Sequence, residues 1–180
     1  GLASNNVSQV HRTIGSMLNV AKRRRLIGPV VTQMVEPPRF KKTETRTPTI
    51  EETRAILLAI QGHRHEAMWT FMIGTGCRYG EAAGLSWFNV DLDKATAFIC
   101  QQAVRTRIRD GETTLGKERM VLAPVKTDAG QRKVSLPPFV VAALRKQHIA
   151  IATMRLASGP RWRDLDLCFP SHLGAPLTGS

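Results

Sequence analysis

An apolar run that breaks on a charged pair constrains this chain more than any other feature. Residues 71–87 read FMIGTGCRYGEAAGLSW. The run stops at Gly74-Thr75-Gly76, where Arg78 enters, and Glu81 follows three residues later. Small and apolar residues then resume. A cation in such a setting is costly unless it is paired or reaches water. If 78–85 is a short helix, Arg78 and Glu81 share a face. Two readings follow. The pair is a buried structural ion pair, or Arg78 stands at the helix start and grips an anion. There the backbone N–H groups already favour negative charge, and a planar guanidinium holds two phosphate oxygens at once. Glu81 then orients Arg78 rather than neutralising it. Gly74 and Gly76 let backbone or ligand approach closely.

Charge favours the second reading. The chain has 180 residues, 26 Lys+Arg against 14 Asp+Glu, and a net charge of +12. The excess is uneven, with nine basic and two acidic residues in 1–46 and seventeen and twelve in 47–180. Such a balance points to a polyanion, most often nucleic acid. A hydrophobic fraction of 42% is enough to build a core. The length suits one domain, or one domain and part of another. No apolar run approaches the ~20 residues of a membrane span, and GLASNNVSQVHR has no signal-peptide core, so no membrane partner is expected. Cys77, Cys100 and Cys168 form no CxxC pair, which fits a reducing cytoplasm and argues against a disulfide or zinc framework. His63 and His65 form an HxH pair that nothing completes, so no metal is expected. The Gly74-Thr75-Gly76 segment has no following phosphate-loop lysine, so it is no nucleotide motif.

Periodicity predicts a helix over residues 5–26, with Val7, Val10, Ile14, Leu18 and Ala21 on one face. Lys22, Arg23, Arg24 and Arg25 load its last turn, and Gly28-Pro29 is expected to stop it. A lone amphipathic helix cannot bury its own face, so 1–35 reads as the end of a helical unit. Residues 36–48, with three prolines and with Lys41 and Lys42, read as an extended basic linker. From Thr49 two helices follow, then the short one at 78–85. The period then changes. Residues 95–104, 119–125 and 132–137 are predicted strands, and a long helix opens on Pro137-Pro138. Arg105 and Arg107, in RTRIRDG, sit at a solvated strand end that can touch phosphate. Lys126 lies at the tip of a predicted hairpin, KTDAGQ, placed to reach a DNA groove as phosphate contact or proton donor. Trp69 and Trp87 are expected in the core. The order gives an α+β fold, mainly helical, with a small antiparallel three-stranded sheet.

TGCRYGEAAGLSWFNVDLD resembles the first conserved box of the tyrosine recombinases, the phage-integrase family, whose pattern runs TG-x-R-x-x-E-x-x-x-L-x-W. Arg78, Glu81, Leu85 and Trp87 fall in place. VKTDAGQRKVSLP is similar to that family's lysine-bearing hairpin, and LCFPSHLGAPLT to the segment before its second box. The basic helix of residues 1–35 resembles the end of its helical core-binding domain, with 49–180 as the first part of the catalytic domain. The resemblance implies a site-specific recombinase that cuts and rejoins double-stranded DNA through a 3′-phosphotyrosine link, without metal or organic cofactor. It implies a tetramer on DNA, in the cytoplasm of a bacterial host or encoded by a phage. Arg78 would stabilise the scissile phosphate, Lys126 would protonate the leaving 5′ oxygen, and Glu81 would support Arg78.

The departures are equally definite. The second box needs an arginine three residues after a histidine. The five histidines are followed at that distance by Ile14, Glu66, Met68, Ile151 and Ala175. The single tyrosine, Tyr79, stands inside the first box beside Arg78. The expectation is therefore a fragment that binds DNA and does not cleave it alone. The alternatives are a non-catalytic DNA-binding module on the same scaffold and, more remotely, a general basic nucleic-acid-binding protein.

Overall fold

The computed structural model describes residues 4–36, 46–107, 118–127 and 130–177. The chain divides into two compact units, Gly1–Pro48 and Thr49–Ser180. In the first, helix α1 spans Ser4–Arg23, with Lys22 and Arg23 in its last turn. The helix ends earlier than its sequence suggests. Arg25 adopts a left-handed φ of 57°, its N–H bonds to Lys22 O, and Leu26 N–H bonds to Ala21 O. That pair of bonds caps the orphan carbonyls of the last turn before Gly28-Pro29 is reached. His11 Nε2 lies 3.1 Å from the Thr32 carbonyl and ties the helix to the 3-10 turn Val31–Gln33. Val30 is buried there. Most of the predicted linker, including Lys41 and Lys42, lies outside the described residues.

The second unit opens with α2, Ile50–Ala59, set by a reciprocal cap. Thr49 Oγ1 accepts from Glu52 N at 3.2 Å, and Glu52 Oε2 accepts from Thr49 N at 2.8 Å. Helix α3, Glu66–Thr75, ends at Gly76, whose φ of +67° explains the glycine. Helix α4 is short, Tyr79–Ala83, with Arg78 as its N-cap residue. Helix α5, Pro138–Ser158, begins on a proline and packs against α3. Where they meet Gly74 leaves no space, since a Cβ there would collide with Val140. Phe71, Met68, Ile99, Val140 and Leu144 are fully buried between these helices and the sheet.

The strands are β1 (Val90–Asp91), β2 (Thr96–Ile99), β3 (Gln101–Arg107), β4 (Glu118–Pro124) and β5 (Arg132–Ser135). An antiparallel three-stranded sheet forms in the order β1-β2-β5, and β3 pairs separately with β4. The first predicted strand is thus divided at Cys100 into β2 and β3, and β1 joins the sheet in place of β4. Ile99 pairs with Arg132 and Gln101 with Pro124. A single residue, Cys100, therefore separates the partners of Pro124 and Arg132. Lys126 does not cap a simple hairpin. It lies where the chain leaves β4 in one sheet and has yet to enter β5 in the other. Ser86 and Leu167 form an isolated antiparallel bridge.

Helix α4 is seated on β3 through glycine. A Cβ at Gly84 would lie 2.7 Å from Gln102 backbone atoms, and one at Gly80 would lie 3.0 Å from Ala103 O. Gln101 Nε2 donates to Gly84 O at 2.7 Å. This seat fixes the start of α4, and hence Arg78, against the sheet. Gly84→Ala has an unstrained φ of −97° but no room, so a loss of about 1–3 kcal/mol is expected in urea melts. A neutral result would show that α4 does not depend on this seat.

Candidate active site

Glu81 is the centre of the site. It stands three residues into α4, and its side chain is 5% exposed. Three donors converge on its carboxylate. Arg78 N–H bonds to Oε2 at 3.1 Å, Arg78 Nη1 to Oε1 at 3.1 Å, and Arg132 Nη2 to Oε2 at 2.7 Å. The first of these satisfies an orphan donor at the helix start. The Arg132 hydrogen bond does most to hold the Glu81 carboxyl below its ordinary range. Burial opposes it, and the Arg78 N–H adds to it. The same bond pushes the Arg132 guanidinium up.

The two arginines differ in exposure. The Arg78 side chain is 84% exposed and that of Arg132 34%. Arg78 and Glu81 therefore do not form the buried pair that the apolar sequence setting allows. The carboxylate is buried, and most of the Arg78 guanidinium faces water. Arg132 takes the inner place. Its Nη2 also reaches Cys77 Sγ at 3.6 Å, and its Nη1 donates to Gly130 O at 3.3 Å. In the sequence Arg132 is only one more basic residue in a strand. The signal that singles it out is its place at the return of the lysine loop, opposite a carboxylate too buried for one exposed partner.

The remaining residues scatter around this centre. Lys126 is exposed, on the excursion whose end Arg132 holds. Tyr79, partly exposed, follows Arg78; burial pushes its phenol up, with Arg105 opposing. Arg105 stands on β3 with an exposed side chain. Arg107 closes β3, and its side chain, like Lys41 and Lys42, lies outside what is described. Lys22, Arg23, Arg24 and Arg25 form an exposed basic end to α1 in the other unit. His63 stacks on Trp69 with centroids 4.5 Å apart. Among the described residues no group of His, Cys, Asp and Glu could hold a metal. Trp87 packs partly buried against the core, with His148 edge-on at 4.8 Å. Asp166 ties the segment after α5 to this end of α4, its Oδ2 accepting from Ser86 Oγ at 2.5 Å and Phe88 N at 2.9 Å.

No family model matches the chain. It is 29% identical over 118 residues to a tyrosine recombinase XerC-like protein of Caldanaerobacter subterraneus subsp. tengcongensis, covering 66% of this chain and 30% of that protein. It is 28% identical over 114 residues to the prophage integrase IntR of Escherichia coli K12, covering 63% and 22%. The proteins it matches are tyrosine recombinases and integrases, and the chain is similar to that family. An integrase of Saccharopolyspora erythraea aligns with 98% of the chain at 21% identity, over 50% of its own length. The α+β fold of this chain is that of solved integrases. The Tn1549 transposon integrase in complex with transposon right end DNA superposes with a TM-score of 0.73 at 20% identity, covering 99% of this chain and 55% of that one. The chain spans half or less of the length of these curated relatives.

Glu81→Gln keeps the shape and removes the charge that both arginines address. Breaking a buried pair of this kind is expected to cost about 3 kcal/mol, the lower end of the usual range because Arg78 stays hydrated. The pH dependence follows from the direction of the shift. A carboxyl depressed in the folded state stabilises fully above its unfolded value, roughly 4.3, and the gain is lost as pH falls through the folded value. Urea midpoints of wild type and Glu81→Gln should therefore differ most near neutrality and converge in acid. A gap that persists unchanged below the ordinary carboxylate range would contradict the assigned role of Glu81.

Proposed function

We propose that these 180 residues supply the Arg78 and Lys126 half of a site-specific recombinase active site and bind double-stranded DNA. One observation carries the reading. The buried Glu81 carboxylate holds Arg78 by backbone and side chain, yet leaves that guanidinium 84% exposed. A cation so held, with most of its donors toward water, is preorganised for an outside anion rather than spent on the fold. Arg78 stabilises charge building on the scissile phosphate. Lys126 delivers a proton to the leaving 5′ oxygen. Lys22, Arg23, Arg24 and Arg25, with Lys41, Lys42, Arg105 and Arg107, contact the phosphate backbone and add affinity without sequence information. In this reading unit Gly1–Pro48 includes the end of a core-binding domain and the basic linker, and Thr49–Ser180 the first part of a catalytic domain. Assembly as a tetramer on DNA and a cytoplasmic setting belong to the same proposal. The chemistry needs no metal and no organic cofactor.

Cleavage needs a nucleophile, and Tyr79 does not suit. Tyr79 stands beside Arg78 within the first box, whereas the family's nucleophilic tyrosine follows the second box. Burial also raises the phenol above its ordinary value, with Arg105 opposing. A second reading is a non-catalytic DNA-binding module on the same scaffold. The coding sequence past Ser180 separates the two, since an HxxR and a later tyrosine belong to the enzyme alone.

Arg78→Lys tests the main reading. The ammonium keeps a charge beside Glu81 and loses the planar fork, so stability should change little while DNA affinity falls. Neutralising Lys22, Arg23, Arg24 and Arg25 should flatten the slope of log K against log salt by roughly 0.9 for each phosphate no longer neutralised. With a nicked suicide duplex the 180-residue chain should give no covalent protein–DNA band. A band that disappears in Tyr79→Phe would overturn the placement of Arg78, and unchanged affinity in Arg78→Lys would return Arg78 to the fold.

A further inference from the structure

We propose that Arg132 is a positioning residue that sets the Lys126 loop against Arg78, using the Glu81 carboxylate as the common anchor. The inference rests on the recombinase reading of Lys126 and Arg78.

A lysine serves as a proton donor only when its backbone is fixed, since its long side chain has several free torsions. Lys126 has an unpromising address. It lies in the sequence between Pro124, the last residue of one ladder, and Arg132, the first of the other, whose partners are separated by Cys100 alone. The excursion is nonetheless tied. Val125 N–H bonds to Cys100 O at 3.1 Å at its start. Gly130 N–H bonds to Thr127 O at 2.8 Å, next to Lys126. A Cβ at Gly130 would touch Val125 at 3.2 Å, so the two ends of the turn lie against each other. Arg132 Nη1 then holds the Gly130 carbonyl, and Arg132 Nη2 holds Glu81. The opposite side of Glu81 carries Arg78.

A continuous chain of hydrogen bonds thus runs from Thr127 through Gly130, Arg132 and Glu81 to Arg78. Within that chain Arg132 is the link that joins the loop to the helix. Only a planar fork reaches the carbonyl and the carboxylate together; a lysine there satisfies the carboxylate and drops the carbonyl. Arg132 itself is not the phosphate contact. Both of its terminal nitrogens are committed inward, and its side chain is 34% exposed where that of Arg78 is 84%.

The test uses the 180-residue chain with Arg132→Lys, Arg132→Ala and Arg78→Ala. Amide hydrogen exchange is read at Thr127 and Gly130, with Phe71 and Leu144 as core references. Acetylation of Lys126 and Lys22 is read by mass spectrometry with and without a short duplex at low salt. Arg132→Lys should keep the core amides slow while exchange at Gly130 rises roughly tenfold or more. Duplex should cease to protect Lys126 in that variant and should still protect Lys22. Arg78→Ala should leave exchange at Gly130 unchanged. If Arg132→Ala fails to fold, Arg132→Lys alone decides. Exchange at Gly130 unchanged in Arg132→Lys, or raised equally in the core, would overturn the proposal. Failure of duplex to protect Lys126 in the wild type would instead defeat the recombinase reading of that lysine, and exchange at Gly130 would still decide what Arg132 holds.

Discussion

The site depends on one buried carboxylate with three donors. Glu81 carries a charge into the interior of an α+β domain, where it is tolerable only because two guanidiniums and a backbone N–H meet it. Everything else arranges those partners. Gly80 and Gly84 let α4 lie directly on β3, which brings Glu81 within reach of a residue at the start of β5. Gly76 ends α3 sharply enough that Arg78 becomes the N-cap of the next helix rather than a continuation of the previous one. The charged pair that interrupts residues 71–87 is thus the visible part of a triad, and its third member comes from more than fifty residues away.

Much of this was legible in the sequence, and the limits have physical causes. The helices were readable because each carries its own punctuation, such as the Thr49–Glu52 cap and the left-handed Gly76. The α+β class and the antiparallel three-stranded sheet follow from the change of period after residue 90. The membership of that sheet did not follow. An unbroken apolar run from 95 to 104 gives no local sign that Cys100 divides it, because the division arises from which partners pair on either side. The end of α1 was misplaced for a similar reason. An arginine in a left-handed cap is unfavourable by itself, so nothing in the local sequence nominates Arg25 over Gly28.

In the site, local and non-local information separate cleanly. Spacing alone joined Arg78 to Glu81, three residues apart on one turn. It could not say which of the two is buried, and the sequence setting suggested both. The asymmetry comes from Arg132, which neutralises Glu81 from inside and so releases Arg78 toward water. An interaction across 51 residues has no periodic signature, which is why spacing does not nominate Arg132. Lys126 was legible only by resemblance, since an exposed lysine in a turn is ordinary by every local measure.

The central claim is that Glu81 holds Arg78 outward for a phosphate. A double-mutant cycle between Arg78 and individual phosphates tests it most directly. Methylphosphonates, which remove one charge at a time, are scanned across a duplex that the chain itself selects from a random pool. Binding is measured for wild type and Arg78→Ala. The account predicts one position where neutralising the phosphate weakens wild type and leaves Arg78→Ala unaffected, a coupling on the order of 1–3 kcal/mol for a charge-assisted hydrogen bond. Losses that simply add at every position would contradict it.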